Sequence, residues 1–307
     1  MTQVADAPSA QLSALTPLLR EIGDAKRLRV AGRTGSLAEQ AFSRSWARLV
    51  AGEPLREVAL SETAAAVARA RLAGIDAGVL HAAGLDEGEV AAVLRDAFDE
   101  VAGDLPQALR SRLRDSLPLV HEAGEAPSLA GLLNTQPRAG ATCPGRPRIL
   151  VEPPESHGDH CLTVAVYGAL LSAPFGAEPE EPFLLGLAHH LHNVLLPDAG
   201  FAGEELLGGH FEPIMYRLER DQLALLPGPL AERVRQVLAL RAGADDPAAK
   251  AFHAADVLDR VLQVHHHARA AAFTASQALD ELELVHAGPV QAFHLDVLAA
   301  AGLGDTR

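Results

Sequence analysis

Five of the fourteen histidines lie between residues 157 and 197, whereas the first 156 residues contain only two. The five occupy two apolar segments, and they are His157, His160, His189, His190 and His192. Polar side chains on apolar helix faces are costly to bury unless they are paired. This clustering predicts two helices that form the edges of one pocket with a buried metal site.

The composition predicts an all-α fold. The hydrophobic fraction is 48%, built mainly from Ala, Leu and Val, and aromatic residues make up only 4%. Ala and Leu are strong helix formers. With 307 residues, the chain is long enough for one large domain or for two ordinary ones.

The charge and the cysteines limit the kinds of partner and compartment. A formal net charge of −14 argues against binding to nucleic acid or to an anionic membrane, because both need a basic surface. The first residues lack the pattern of a signal peptide, and no apolar run approaches the roughly 18 residues of a membrane span. Cys143 and Cys161 have neither a metal-binding nor a redox spacing. We therefore expect a soluble protein of the reducing cytoplasm.

The composition divides the chain into three parts. Residues 1–123 contain four short amphipathic patterns and no recognisable catalytic motif, which predicts a smaller N-terminal helical domain. Residues 124–156 contain six prolines, and we interpret them as a linker. Alternatively, this segment folds over the second domain as a lid and offers Arg146 and Arg148 to an anionic ligand. Residues 157–307 form the second helical domain.

Local signals predict several helix starts. Residues 36–39 have the form of a capping box, and residues 86–89 can cap another helix. Residues 245–247 combine an Asp cap with a proline in the first turn. Residues 277–303 are also predicted to be helical.

The histidine stretch predicts two helices. The first is capped by Ser156 or Asp159 and ends at residues 174–176. The second covers residues 183–196 and is stopped by Pro197.

On a continuous second helix, His189, His192 and Asn193 share one face, because they are three and four residues apart. His190 is then turned from His189 by roughly 100°.

The order of these residues resembles a known family. The segment DHCLTVAVYGALLSAPFGAEPEEPFLLGLAHH has a histidine early in one helix and a histidine pair near the end of the next, and AFHAADVLDRV has an aspartate in a later helix. This pattern is similar to that of the HD-domain superfamily of metal-dependent hydrolases over about residues 150–270. The resemblance implies an HD-like helical bundle in which His160, His189 and Asp256 are metal ligands. His190 occupies the position of the family's usual aspartate.

The histidine at position 190 favours a site for one metal. An aspartate can bridge two metals and brings a negative charge, whereas a neutral imidazole normally binds one metal and adds no charge. We expect one divalent transition metal at His160, His189, His190 and Asp256. This ligand set is rich in nitrogen, and it therefore suits Fe, Co, Ni, Mn or Zn better than Mg or Ca.

The resemblance implies hydrolysis of a phosphomonoester, with a phosphorylated, nucleotide-like small molecule as the substrate and a metal-activated water. His192 and Glu204 are the preferred candidates for groups that donate a proton or position water. Further candidates for such roles or for substrate contacts are Asp159, His157, Asn193 and Glu205.

Other polar residues of this half are assigned lesser roles. The histidine run at residues 265–267 is interpreted as a solvated helix face, because consecutive side chains point in different directions. His253 is one turn from Asp256 and can be its hydrogen-bond partner. Arg260 is expected to pair with Asp256 or Asp259.

Two alternative functions stay open. One is a non-catalytic HD-like binding or scaffold module, in which His190 marks a degenerate site. The other is an HD-fold iron oxygenase with two irons, although the missing bridging aspartate argues against it. The N-terminal helices either regulate the site or form the surface of a homodimer.

Overall fold

The computed structural model describes residues 6–117, 124–150, 152–270 and 291–300. Within these ranges the chain forms fourteen α-helices, a few 3-10 turns and no β-strand. The predicted all-α fold is therefore confirmed.

In chain order, the helices are α1 (Asp6–Gly23), α2 (Leu37–Val50), α3 (Leu55–Leu72), α4 (Ala77–Ala82), α5 (Glu87–Val101), α6 (Gln107–Asp115), α7 (Ser128–Thr135), α8 (His157–Phe175), α9 (Glu180–Ala188), α10 (Gly200–Leu207), α11 (Phe211–Leu223), α12 (Gly228–Leu240), α13 (Pro247–Ala270) and α14 (Gln291–Ala300).

The helix starts follow the local signals of the sequence. Ser36 and Asp86 accept hydrogen bonds from the backbone of Glu39 and Glu89, whose side chains bond back to complete two capping boxes. Asp246 accepts hydrogen bonds from two backbone N–H groups in the first turn of α13. These predicted starts are confirmed, because a cap satisfies free N–H groups with residues that are already close in sequence.

Helix α8 is the centre of the fold. Every residue from His157 to Ser172 is buried, and the helix packs against α1, α2, α3, α7 and α9. A Cβ on Gly186 of α9 would come within 2.5 Å of the backbone of Ala165. This close approach places the end of α9 beside the first turn of α8, where His160 lies.

One hydrophobic cluster joins helices of both predicted domains. Leu19 and Phe42 from the N-terminal part belong to the same cluster as Leu170 of α8. The hydroxyl of Tyr167 also donates a hydrogen bond to the backbone carbonyl of Leu19. Whether residues 1–123 fold independently, as the predicted domain boundary implies, stays a prediction.

The predicted linker contains helix α7, which packs against α2 and α8. Further along, the backbone N–H of Ala139 donates to Asp198 at 2.9 Å, and Arg148 donates to the carbonyl of Ala199 at 3.2 Å. These contacts attach the segment to the chain just before α10. Both interpretations of this segment, as a linker and as a lid, stay predictions.

The second histidine helix differs from the prediction. The sequence predicts one helix over residues 183–196, but α9 ends at Ala188 and a 3-10 turn covers Leu191–Val194. His190 lies between them with φ −112° and ψ 22°, outside helical geometry. The predicted continuous helix is therefore wrong, and so is the shared face derived from it.

Hydrogen bonds from outside the helix explain the break. A continuing helix would use the carbonyl of His189 to accept the N–H of Asn193. Instead, Arg241, which directly follows α12, donates to that carbonyl at 2.8 Å, and the N–H of Asn193 donates to the carbonyl of His190. Nδ1 of His189 also donates a hydrogen bond to the carbonyl of Gly186.

The described residues up to Leu262 form one compact unit, and those from Gln263 onward form a second. Helix α14 covers part of the helix predicted over residues 277–303, and the rest of that prediction lies outside the described residues.

None of the described helices is both long enough and apolar enough to cross a membrane.

Candidate metal centre

Three histidines converge where α9 meets α8. His160 is in the first turn of α8, and His189 and His190 follow directly after α9. Their ligand nitrogens lie within 4.8 Å of one another, and Nε2 of His160 is 3.2 Å from Nε2 of His189. Three of the four predicted metal ligands therefore share one small, largely buried space.

The other ring nitrogen of each histidine is held by an acceptor. Each Nδ1 lies 2.7 Å from its partner: Asp259 Oδ2 for His160, the Gly186 carbonyl for His189 and Asn193 Oδ1 for His190. An ionised carboxylate or a carbonyl oxygen has no hydrogen to donate, so each Nδ1 must carry the proton. Whenever such a ring is neutral, its Nε2 lone pair is left to face the shared space.

The two remaining histidines of the stretch follow the same pattern. His157 Nδ1 donates to the carbonyl of Gln136 at 2.9 Å, and His192 Nδ1 lies 3.3 Å from Glu219 Oε1. His157 Nε2 is buried and has no hydrogen bond within the described residues; its distance to Asp198 Oδ2 is 3.6 Å. An orphaned buried nitrogen of this kind is uncommon in folded proteins.

Burial favours the neutral form of His157, His189 and His190. It lowers the pKa of His189 and of His190 well below the usual value, and the adjacent histidines add to the effect. Burial, together with the positive charge of Arg138, also lowers the pKa of His157 to about 3. A neutral imidazole is the form that binds a metal.

Asp256 of α13 reaches the same histidines. Its Oδ1 lies 3.4 Å from Nε2 of His160, and its Oδ2 pairs with Arg260 at 2.9 Å. Burial raises the pKa of Asp256, but the neighbouring histidines and Arg260 outweigh burial and hold it well below its usual range. An ionised carboxylate oxygen therefore lies next to Nε2 of His160.

Asp259, one helical turn further along α13, orients His160. It is buried, accepts from Nδ1 of His160 and pairs with the ammonium of Lys26, which also pairs with Glu155. Burial lowers the pKa of Lys26, but the two carboxylates outweigh burial and raise it above its usual value. A carboxylate behind a ligating histidine fixes the ring orientation and increases its basicity.

Arg138 places a permanent positive charge at the edge of this cluster. Its Nη1 donates to Nε2 of His190 at 2.9 Å and lies 3.7 Å from Asp198 Oδ2. The sequence pointed to Arg146 and Arg148 as possible partners of an anion, but the arginine that reaches the histidines is Arg138.

His192 lies beside the three converging histidines. It is buried, and its partner Glu219 is also bonded by Arg241 at 2.7 Å. Because Arg241 donates to the His189 carbonyl as well, one arginine joins His192 to the end of α9.

Glu204, the other predicted catalytic residue, is half-buried in α10. Burial raises the pKa of Glu204, and the negative charge of Asp198 adds to the effect. His192 and Arg138 lower the pKa of Glu204, but burial and Asp198 outweigh them. A carboxyl group with a raised pKa near the histidines is suited to donate a proton.

Two other candidates have local roles. Asp159 forms a capping box with Ser156 and accepts from the hydroxyl of Ser36. Burial, with the nearby charge of Glu39, raises its pKa to about 7. His253 Nε2 bonds to the backbone carbonyl of Gly243 at 3.0 Å.

Sequence reasoning missed three residues of the centre. Asp259 had a usable signal, because it lies three residues after Asp256 on one helix face. Arg138 and Lys26 had none, since each is remote in sequence from its partner in the centre, His190 for Arg138 and Asp259 for Lys26.

The donor set fits a transition metal at three positions. His160 and His189 offer Nε2 lone pairs, and Asp256 offers a carboxylate oxygen at 3.4 Å from the first of them. Two imidazoles and one carboxylate are a common transition-metal ligand set. His190 is a fourth ligand only if Arg138 releases its Nε2.

Comparisons with protein-family models, curated proteins and solved structures find no match to this chain. The resemblance to the HD superfamily therefore rests on the residues of the chain itself.

Proposed function

We propose that the chain is a metal-dependent hydrolase of the HD type that cleaves a phosphomonoester in a nucleotide-like small molecule. The observation that supports it best is the contact between Nε2 of His160, Nε2 of His189 and Oδ1 of Asp256. With both rings neutral, these atoms all present lone pairs, and a cation among them would relieve their mutual repulsion. Two free cysteines, Cys143 and Cys161, support the further proposal of a cytoplasmic location.

The proposed centre holds one metal. A second set of possible ligand atoms is formed by Glu155, Asp259 and the other ring nitrogen of His160. The ammonium of Lys26 already pairs with both carboxylates, so a second metal there would meet a positive charge. This contact disfavours the two-iron oxygenase.

The chain's own groups would act around the substrate as follows. A bound transition metal would supply Lewis acidity toward a phosphoryl oxygen and would acidify water. Arg138 is placed to bind the phosphoryl anion once its hydrogen bond to His190 opens. Glu204, with its raised pKa, donates the proton that the leaving oxygen needs, and His192, held by Glu219, orients the attacking water.

A second candidate is the non-catalytic binding module. It is favoured by the hydrogen bond from Arg138 to Nε2 of His190, which occupies the lone pair that a fourth metal ligand would offer. A proton on one of the histidines would balance the remaining lone pairs without a metal.

Metal analysis separates the two candidates. Full-length protein is purified without chelator, and its metals are counted beside those of His160→Ala, His189→Ala and a control, His81→Ala. His81 is an exposed histidine of α4 whose one hydrogen bond among the described residues is to the nearby carbonyl of Leu85, so its replacement makes the same chemical change at a remote place. Phosphate release from p-nitrophenyl phosphate and nucleoside monophosphates is then measured with Mn, Co and Ni.

The hydrolase predicts about one metal per chain in the wild type and in His81→Ala, and little in the other two variants. It also predicts metal-dependent phosphate release that is lost with the metal. Folded wild-type protein that holds no metal and releases no phosphate would reject the hydrolase in favour of the binding module.

A further inference from the structure

A second buried polar cluster lies within the first 117 residues, apart from the histidines. It lines a cavity of about 270 Å³ that is bordered by α2, α3, α4 and α5. We call it the arginine pocket, and its charged residues are Arg33, Arg44, Arg48, Arg69, Glu62 and Asp76. None of the residues of the proposed metal centre contributes to its lining.

The arginine pocket is positively charged in an acidic protein. Four arginines face two carboxylates in the lining, and Arg48 also pairs with Glu53 outside it. Even with Glu53 included, the positive charges exceed the negative ones, whereas the whole chain has a formal net charge of −14. A local excess of this sign attracts anions.

Two of the arginines are held rigidly by Glu62. Arg44 binds this buried carboxylate with two nitrogens at 2.9 and 2.6 Å, and Arg48 binds it at 2.9 Å. Arg48 also donates to the hydroxyl of Ser61 at 2.8 Å. Guanidinium groups that are fixed in this way lose little further freedom when they bind a ligand.

Arg69 is the least compensated of the four. Its side chain is only 12% exposed, and its one hydrogen bond within the described residues is a long 3.5 Å contact to Asp76. Asp76 is already bonded by Arg33 at 2.9 Å and caps α4 through the N–H of Val79. Burial, with the positive charge of Arg44, lowers the pKa of Arg69 to about 10. An anion in the cavity would supply the missing acceptor.

The cavity has room and apolar surface for more than an anionic group. Ile75, Leu94 and Leu117 line it, and Ile75 remains 42% exposed. Small-molecule sites commonly have volumes of roughly 300–1,000 Å³, so this cavity lies just below that range and suits a small molecule.

We propose that the arginine pocket binds a small phosphate-bearing organic molecule, with Arg69 as the main donor to the phosphate. A phosphate is preferred to a carboxylate, because its oxygens can accept from several guanidinium groups at once. The apolar side chains contact the organic part. This site does not depend on the proposed metal centre.

The competing explanation is a purely structural network, in which the arginines serve only to neutralise Glu62 and Asp76. It accounts for Arg44 and Arg48, whose hydrogen bonds to Glu62 are short. It does not account for Arg69, whose side chain is only 12% exposed and has one long contact within the described residues.

Calorimetric titration of the full chain tests the proposal. The probes are adenosine 5′-monophosphate, inorganic phosphate and adenosine, all at low salt and with EDTA present to keep metal from the histidines. The proteins are the wild type, Arg69→Gln and a control, Arg220→Gln. Arg220 is an exposed arginine of α11 that pairs with its neighbour Asp221.

We expect the monophosphate to bind wild type and Arg220→Gln equally, to bind Arg69→Gln at least about tenfold more weakly, and to bind more tightly than inorganic phosphate. Adenosine should give no heat. His189→Ala should bind like the wild type, which separates this pocket from the histidine centre.

Equal affinity of Arg69→Gln and Arg220→Gln, or no heat from either phosphate probe, would overturn the proposal. Inorganic phosphate that binds as tightly as the monophosphate would overturn the assignment of the organic part. Helical content measured by circular dichroism checks that Arg69→Gln is folded, and the loss of one long hydrogen bond should leave it intact.

Discussion

The arginine pocket and the proposed metal centre stabilise buried polar side chains in opposite ways. In the pocket, permanently charged guanidinium groups are balanced by carboxylates such as Glu62, which bonds two arginines. In the centre, burial lowers the pKa of His189 and of His190, and Nδ1 of each converging histidine is held by an acceptor. The pocket therefore has spare N–H donors, whereas the centre has spare lone pairs.

This difference determines the ligand that each region suits. Unsatisfied guanidinium donors favour an anion, and converging imidazole and carboxylate lone pairs favour a cation. Both regions lie within the unit that ends at Leu262, yet they share no lining residue. A change in one should therefore leave ligand binding in the other unaffected.

The largest expected effect is on stability in the arginine pocket. Glu62→Ala leaves Arg44 and Arg48 without their shared buried carboxylate, and we expect a loss of about 3–5 kcal/mol in the free energy of unfolding. Urea unfolding at pH 7 measures it. Glu232→Ala, which removes an exposed carboxylate paired with Arg235, should cost no more than about 1 kcal/mol. Equal losses in the two variants would show that the pocket's pairs are no more important than surface pairs.

The next effect is the stabilisation of the centre by metal. At a free metal concentration of 100 times Kd, the wild type should gain about 2.7 kcal/mol in unfolding free energy. His189→Ala should gain almost nothing, because it lacks one of the converging lone pairs. Arg69→Gln should gain as much as the wild type, since Arg69 lies in the other region. Thermal unfolding with and without metal provides the measurement; a reduced gain in Arg69→Gln would mean that the two regions are coupled.

A smaller effect, on metal affinity, is expected from Asp259, which accepts a hydrogen bond from the ligand His160. Asp259→Asn keeps an oxygen that can accept from Nδ1 of His160 but removes the charge that increases the ring's basicity. Metal affinity should fall by about 10–100-fold. Competition with a fluorescent chelator measures the affinity. Asp221→Asn, at an exposed aspartate of α11, is the matched control and should bind metal normally. Unchanged affinity in Asp259→Asn would remove Asp259 from the metal centre.

The smallest effect is the pH dependence of the pocket. Burial raises the pKa of Glu62, but Arg44 and Arg48 outweigh burial and lower it below its ordinary value of 4.5. The folded state therefore binds this proton less readily than the unfolded state. The resulting stability is complete above about pH 4.5 and is lost as the pH falls through the folded pKa.

Glu62→Gln has no such proton to bind. Between pH 5 and pH 3 it should lose less stability than the wild type, by at most about 1.4 kcal/mol per pH unit. Urea unfolding across that range compares the two proteins, with Glu232→Gln as the exposed control. Parallel curves for wild type and Glu62→Gln would contradict the lowered pKa of Glu62.

Features that depend on near neighbours in the sequence could be predicted. The capping boxes that begin at Ser36 and Asp86 join residues three apart, so the local sequence was sufficient to predict them. The choice of His160, His189 and Asp256 came from a resemblance in residue order, and these three side chains lie together in the structure.

Features that depend on distant segments could not be predicted. Lys26 lies 233 residues from Asp259, and Arg138 lies 52 residues from His190. The arginine pocket also gathers side chains from several helices, none of which carries a recognisable motif alone.

His189 and His190 illustrate the difference between what the local sequence determines and what the tertiary structure decides. The sequence by itself determined an all-α chain with its histidines on two apolar segments, because composition and helix periodicity act over a few residues. It also predicted that His189 and His190 would point in different directions on a continuous helix. The tertiary structure decided otherwise, because Arg241 takes the carbonyl that would have continued the helix. The helix ends there, and both imidazoles face the same space.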